Sequence, residues 1–167
     1  MADEKISKIC IELGSIACQR GDYALTYMLY NRSFANASAE EDLELAGTLR
    51  KIGKMYKAER KFKEAGKFLK KALTVYRGMS TVNQRALRDT FDDLAELSHN
   101  QGNFSGAIRY YQRAMEIEEG LAEKDPTKRD ERLNQIAWLQ LRQGKMAEAR
   151  NTHSQLSKAQ TIQARSH

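Results

Sequence analysis

The chain has 167 residues, 41% of them hydrophobic, with one proline, two cysteines and a formal net charge of +6. That is enough chain for a domain with an apolar core. The scarcity of proline and the abundance of good helix formers speak against a β-rich fold, and no run approaches the roughly 18 apolar residues that a bilayer span needs. The start, Met1 to Lys8, carries Asp3 and Glu4 and lacks an apolar signal core, so a cytoplasmic protein is expected. Charge alternates in blocks: net −4 over 1–45, +9 over 46–79, −4 over 80–125 and +5 over 126–167. A nucleic-acid-binding repeat wants one continuous basic face, so this alternation argues against nucleic acid as partner.

Hydrophobic periodicity predicts helices at 4–19, 22–37, 40–58, 62–78, 81–100, 104–123, 127–143 and 146–163, with a frayed tail over 164–167. Cys10 and Cys18 share the first helix about 12 Å apart along its axis, too far to bridge. Ser38-x-x-Glu41 and Thr81-x-x-Gln84 read as capping boxes, and Asp125-Pro126 as a cap residue before a first-position proline. The helices pair into four antiparallel hairpins, at about 4–37, 40–78, 81–123 and 127–163, forming one domain.

The hairpins repeat. Gly21-Asp22-Tyr23, Arg60-Lys61-Phe62, Gly102-Asn103-Phe104 and Gly144-Lys145-Met146 align at spacings of 39, 42 and 42. Each is a turn residue, a polar residue and a large apolar one. Before each turn stands a small residue: Gly14, Gly53, Ala95 and Ala137. After it comes a second: Thr26, Ala65, Ala107 and Ala149. Small residues on both helices let a hairpin close tightly, and stacking of neighbours completes the core.

This pattern resembles the tetratricopeptide repeat family over roughly residues 5 to 158. Leu49, Ile52-Gly53, Tyr56 and Ala65 carry the likeness best, followed by Phe91, Leu94-Ala95 and Ala107. The 42-residue spacing is similar to the long-helix variety seen in kinesin light chains. The resemblance implies an all-α, right-handed solenoid whose first helices line a concave groove for a partner protein. It implies no enzyme activity.

By the same resemblance the groove residues would be Arg50, Lys54 and Lys57 in the second hairpin, and Asp89, Asp92, Glu96, His99 and Asn100 in the third. In the fourth they would be Glu131, Asn134, Trp138, Leu141 and Arg142. In the first they would be Lys8, Ile11, Ser15, Cys18 and Gln19. The basic row and the acidic row either pair with each other or read a partner of mixed charge. Trp138, the only tryptophan, is either an exposed anchor or packed against its own hairpin. Ile11, Ser15, Lys51, Asp89 and Asp93 stand where some tetratricopeptide proteins clamp an acidic chaperone tail. Two acids there argue against that ligand.

No phosphate loop, catalytic motif or metal-ligand spacing is present, so neither catalysis nor a cofactor or metal is expected. The lysines of the fourth helix, Lys63, Lys67, Lys70 and Lys71, read as a solvated convex face. A second role is open: an uncovered apolar end of the array, looked for at the last hairpin, would let the chain self-associate.

Overall fold

A computed structural model describes residues 2–33, 39–79, 83–122 and 124–156. These form eight helices and no strand: α1 (Ala2–Gln19), α2 (Tyr23–Ser33), α3 (Ala39–Ala58), α4 (Phe62–Gly78), α5 (Gln84–Asn100), α6 (Phe104–Glu119), α7 (Pro126–Arg142) and α8 (Met146–Ser154). Consecutive helices pair as hairpins. The fold class is all-α, of tetratricopeptide type. The chain divides into two compact units, residues 1–90 and 91–167, and the division falls inside α5.

The four hairpin turns are built alike. Gly21, Arg60, Gly102 and Gly144 all take positive φ, between 60° and 77°. Around each, two hydrogen bonds close the preceding helix. At the first, Gly21 N donates to Cys18 O and Asp22 N to Ala17 O, and the same pair recurs at Arg60–Lys61, Gly102–Asn103 and Gly144–Lys145. This is the left-handed helix stop that glycine favours. Arg60 occupies it with a side chain, at a cost of about 1 kcal/mol. Arg60→Gly is therefore expected to stabilise the chain by roughly 0.5–1 kcal/mol, less than the full strain because glycine gives the unfolded chain more freedom. Thermal unfolding checks this; an unchanged or lower Tm would refute the strain argument.

The small-residue contacts lie where the repeat places them. Thr26, Ala65, Ala107 and Ala149 are all buried, as are Ala95 and Ala137 on the facing helices. Thr26 satisfies its hydroxyl within its own helix, donating to Asp22 O at 2.7 Å. At Gly53 the approach is closest: a Cβ built there would stand 2.7 Å from Leu69 Cγ.

Short polar side chains cap the starts of α2, α5, α6 and α7, whereas Lys61 and Lys145, at the starts of α4 and α8, make no side-chain cap bond. Asp22 accepts from Leu25 N, Asn83 from Ala86 N and Asn103 from Gly106 N, each at 3.0 Å. Asp125 accepts from Thr127 N and Lys128 N ahead of Pro126. The start of α5 thus falls later than expected, with Asn83 as its cap; Thr81 lies outside the described residues, as does Ser38 of the other capping box. α6 stops at Glu119, short of 123, because Gly120 closes it. α8 ends at Ser154; the rest of its expected span, beyond Leu156, and the tail are outside the described residues.

In unit 1 an aromatic run joins the first two hairpins. Tyr23 and Tyr56 lie 5.0 Å apart, Tyr56 stacks on Phe68 at 5.4 Å, and Tyr27 meets Phe68 edge-on at 5.5 Å. Such pairs add about 0.5–1.5 kcal/mol each beyond their burial. Lys71 is not simply solvated: its ammonium sits 4.1 Å above the Tyr27 ring and donates to the Tyr27 hydroxyl. Lys63, Lys67 and Lys70 are exposed. Both cysteines are free thiols.

Candidate functional site

Unit 2 carries the more elaborate surface. A cleft of about 500 Å³ is lined by Asp92, Glu96, His99 and Asn100 of α5, Tyr111 of α6, and Lys128, Glu131, Arg132 and Gln135 of α7. Residues 92, 96, 99 and 100 fall three or four apart, so one face of α5 presents them. The cleft offers acids and bases together.

Arg132 forms the floor. Its Nε and Nη2 donate to Asp92 Oδ1 and Oδ2, both at 2.7 Å, in a planar two-point contact of the strong charge-assisted kind. Its Nη1 lies 3.5 Å from Glu118 Oε2, with both side chains 4% exposed. Glu118 also accepts from Asp125 N at 2.8 Å, which ties the end of α6 to the cap of α7. Above this floor burial pushes the Tyr111 hydroxyl well up from its usual range, Glu96 and Asp92 add to the effect, and Arg132 opposes it. Tyr111 therefore stays protonated at any physiological pH.

Beside the cleft stands an aromatic group with a cation over it. Trp138 lies 5.0 Å from His99 and 6.5 Å from Phe104, while His99 and Phe104 are 6.2 Å apart. The Arg142 guanidinium is 5.3 Å from the Trp138 ring centre and 5.8 Å from that of Phe104. Trp138 remains 42% exposed. Its rim is held by neighbours while one side stays open to solvent. His99 belongs to both the aromatic group and the cleft.

Unit 1 has a second cleft, of about 440 Å³, lined by Ser15, Cys18, Gln19, Thr48, Lys51, Lys54 and Met55. Burial raises the Cys18 thiol pKa and Lys51 only partly offsets it. The thiol thus stays protonated near neutrality and is no activated nucleophile. Arg50 reaches Asp89 at 3.5 Å, and Asp89 also accepts from Arg88 at 2.8 Å. Lys57 is half-buried.

The expected groove residues therefore separate by role. Asp92, Glu96 and Asn100 line the unit 2 cleft. Trp138 and Arg142 form its aromatic shoulder, and Asn134 is exposed on the same helix. Lys54 lines the unit 1 cleft. Pairing between the basic and acidic rows occurs at Arg50–Asp89, whereas Asp92 is taken up by Arg132. Ile11, expected to face the groove, is buried at 3%. The register of α1 turns it inward beside Cys10. Arg132, Lys128, Gln135 and Tyr111 line the cleft without having been expected to.

Tetratricopeptide repeat families match the sequence over residues 48–78 and over 90–129. The chain therefore carries tetratricopeptide repeats, which are protein-interaction modules and typically non-enzymatic. Among solved structures it is similar to BtubC (BKLC) from P. vanneervenii, with a TM-score of 0.67, 16% identity, and coverage of 95% of this chain and 64% of that one. It is also similar to aspartyl phosphate phosphatase F from Bacillus subtilis, with a TM-score of 0.57, 16% identity, and coverage of 88% and 38%. The chain thus spans less than two thirds of either protein, and the likeness is one of fold. No curated protein sequence matches it significantly. Among the described residues no helix is long and apolar enough to cross a membrane.

Proposed function

We propose that the chain is a cytoplasmic adaptor, assembly factor or regulator that holds a segment of a partner protein against the cleft and aromatic shoulder of unit 2. It does so without catalysis or a cofactor. One observation carries this reading: Trp138 is half-open to solvent, backed by His99, Phe104 and Arg142, and adjoins a cleft of mixed charge. A rigid, partly exposed tryptophan beside hydrogen-bonding side chains is a common anchor for a protein segment. The acids and bases around it would set the register of a segment carrying both charges. The cleft of unit 1, with Lys51 and Lys54, would take a more acidic stretch. The 42-residue spacing supports membership of the long, kinesin-light-chain-like variety, and the four hairpins would act as one domain.

Capture from native extract tests the proposal. The wild-type chain is compared with Trp138→Ala and, separately, with Lys54→Glu, after circular dichroism shows all three folded. Loss of a hot-spot aromatic costs at least about 2 kcal/mol, so the partner recovered by the wild type should bind Trp138→Ala roughly 30-fold more weakly. Equal affinity for that variant would move the site away from unit 2.

A further inference from the structure

Two contacts cross from α5 to α7 and leave a gap between them. Asp92 meets Arg132 at one end, and His99 meets Trp138 at the other. Along the helices these contacts are about 10 Å apart. Glu96 and Gln135 fall between them in sequence, and both are exposed and line the cleft. Tyr111 reaches the same cleft from α6. Only 5% of that residue is exposed, and among the described residues no group hydrogen-bonds its hydroxyl. A polar atom set so deeply is ordinarily paired, so the open hydroxyl marks where an added group is held. The surrounding charges decide the sign of that group. Glu96 and Asp92 each raise the Tyr111 pKa by more than Arg132 lowers it. The field at the hydroxyl is therefore net negative. Arg132 is also held from behind by Glu118. Lys128 stands beyond Arg132 on α7, about 10 Å from Gln135 along the axis, and Glu131 accompanies it on the cleft wall. An anion entering the gap meets two carboxylates; a cation is drawn in.

We propose that this gap receives a basic side chain, lysine or arginine, of the partner segment. The inference rests on the assignment of partner binding to unit 2 and names the chemistry recognised there. The incoming N–H groups donate to the Glu96 carboxylate, to the Tyr111 oxygen and to the Gln135 side-chain carbonyl. Tyr111 serves as acceptor because a protonated phenol keeps its lone pairs. The aliphatic stem of the basic residue lies along the aromatic group, as long cationic side chains do on apolar surface. Trp138 already tolerates a cation beside it, with the Arg142 guanidinium 5.3 Å from its ring centre. A charged donor on a carboxylate is stronger than a neutral hydrogen bond, so Glu96 supplies most of the preference and Tyr111 refines the position.

A library of random peptides displayed on phage, selected on the full chain, tests this. Peptides that bind the wild type and are released by Trp138→Ala should share a lysine or arginine at a constant position. One of them, made synthetically, serves for titration. Glu96→Gln should weaken its binding about tenfold or more, the loss of a hydrogen bond to a charged group. Tyr111→Phe should weaken it roughly three- to tenfold and leave Tm unchanged, since the hydroxyl bonds nothing within the chain. Replacing the peptide's basic residue by glutamine should cost as much as Glu96→Gln, and the two changes together little more, because they remove one contact. Circular dichroism first shows the variants folded. Additive losses overturn the inference, as do selected peptides with an acid or no charge at that position; their dependence on Trp138 would leave the unit 2 reading standing. A clear fall in Tm for Tyr111→Phe also overturns it, because the hydroxyl would then be bonded inside the protein. Peptides indifferent to Trp138→Ala would remove the unit 2 reading and this inference with it.

Discussion

Arg132→Ala is expected to be a strongly damaging substitution in unit 2, at about 3–5 kcal/mol, the cost of breaking a buried ion pair by removing one member. The damage comes less from the broken hydrogen bonds than from the charge left behind. Glu118 is almost wholly buried, and the arginine is a cation placed against it at 3.5 Å. Removing Arg132 leaves that carboxylate in a poorly solvated place while it still accepts from Asp125 N. Asp92 fares better, being partly exposed. Arg132→Met combined with Glu118→Gln should therefore recover most of the loss. The glutamine oxygen keeps the hydrogen bond to Asp125, and the buried ion pair is replaced by neutral side chains. Hydrogen exchange should show the single variant's loss of protection in 91–156. A loss under about 1 kcal/mol, the range of exposed ion pairs, or a double variant as unstable as the single one, would show that the buried charge is not what matters.

Gly53→Ala is expected to cost unit 1 about 1–3 kcal/mol, the range for overpacking a core. Helix propensity alone predicts the opposite, a gain of about 1 kcal/mol. The sign thus decides whether packing or propensity governs this position. The added methyl would stand 2.7 Å from Leu69 Cγ, 2.8 Å from Cδ2 and 3.2 Å from the Leu69 backbone nitrogen. Leu69 is fully buried, so its side chain has nowhere to retreat and the backbone of α4 must give. Pairing the change with Leu69→Ala should make the two less than additive, because the second substitution removes the clash. Urea unfolding of the four-member cycle measures the coupling. A neutral or stabilising Gly53→Ala would place the helix crossing farther apart than described.

Much of the fold was legible in the residue pattern for a local reason. A left-handed turn and a close helix crossing each demand a particular kind of residue, and both demands fall within a dozen positions. The triplets at Gly21, Arg60, Gly102 and Gly144 marked the turns because that backbone shape has few tenants. The site was less legible. Asp92 was visible as an acid on a groove-facing stripe, but its partner Arg132 is 40 residues away on another helix. Nothing in the spacing singles that arginine out from the other cations of the chain. Ile11 was misplaced because one position along a helix turns a side chain by about 100°. Leu13 shows the converse limit. It matches the repeat's core position but is exposed; burial there is conferred by a neighbouring hairpin, and pattern alone does not supply the neighbour.

The uniform turns bear on how such a chain can change. In all four hairpins the turn residue follows the first small residue by seven positions and precedes the second by five. The difference between the 39- and 42-residue spacings therefore falls wholly outside the hairpin tips, toward the segments that link one hairpin to the next. Each tip is a fixed cassette, and length is negotiable only in the couplings between cassettes. Grafting a hairpin from one place to another, or inserting a reporter sequence, should respect the tips and use the couplings. A fold assembled this way can gain or lose residues without any hairpin having to be closed anew.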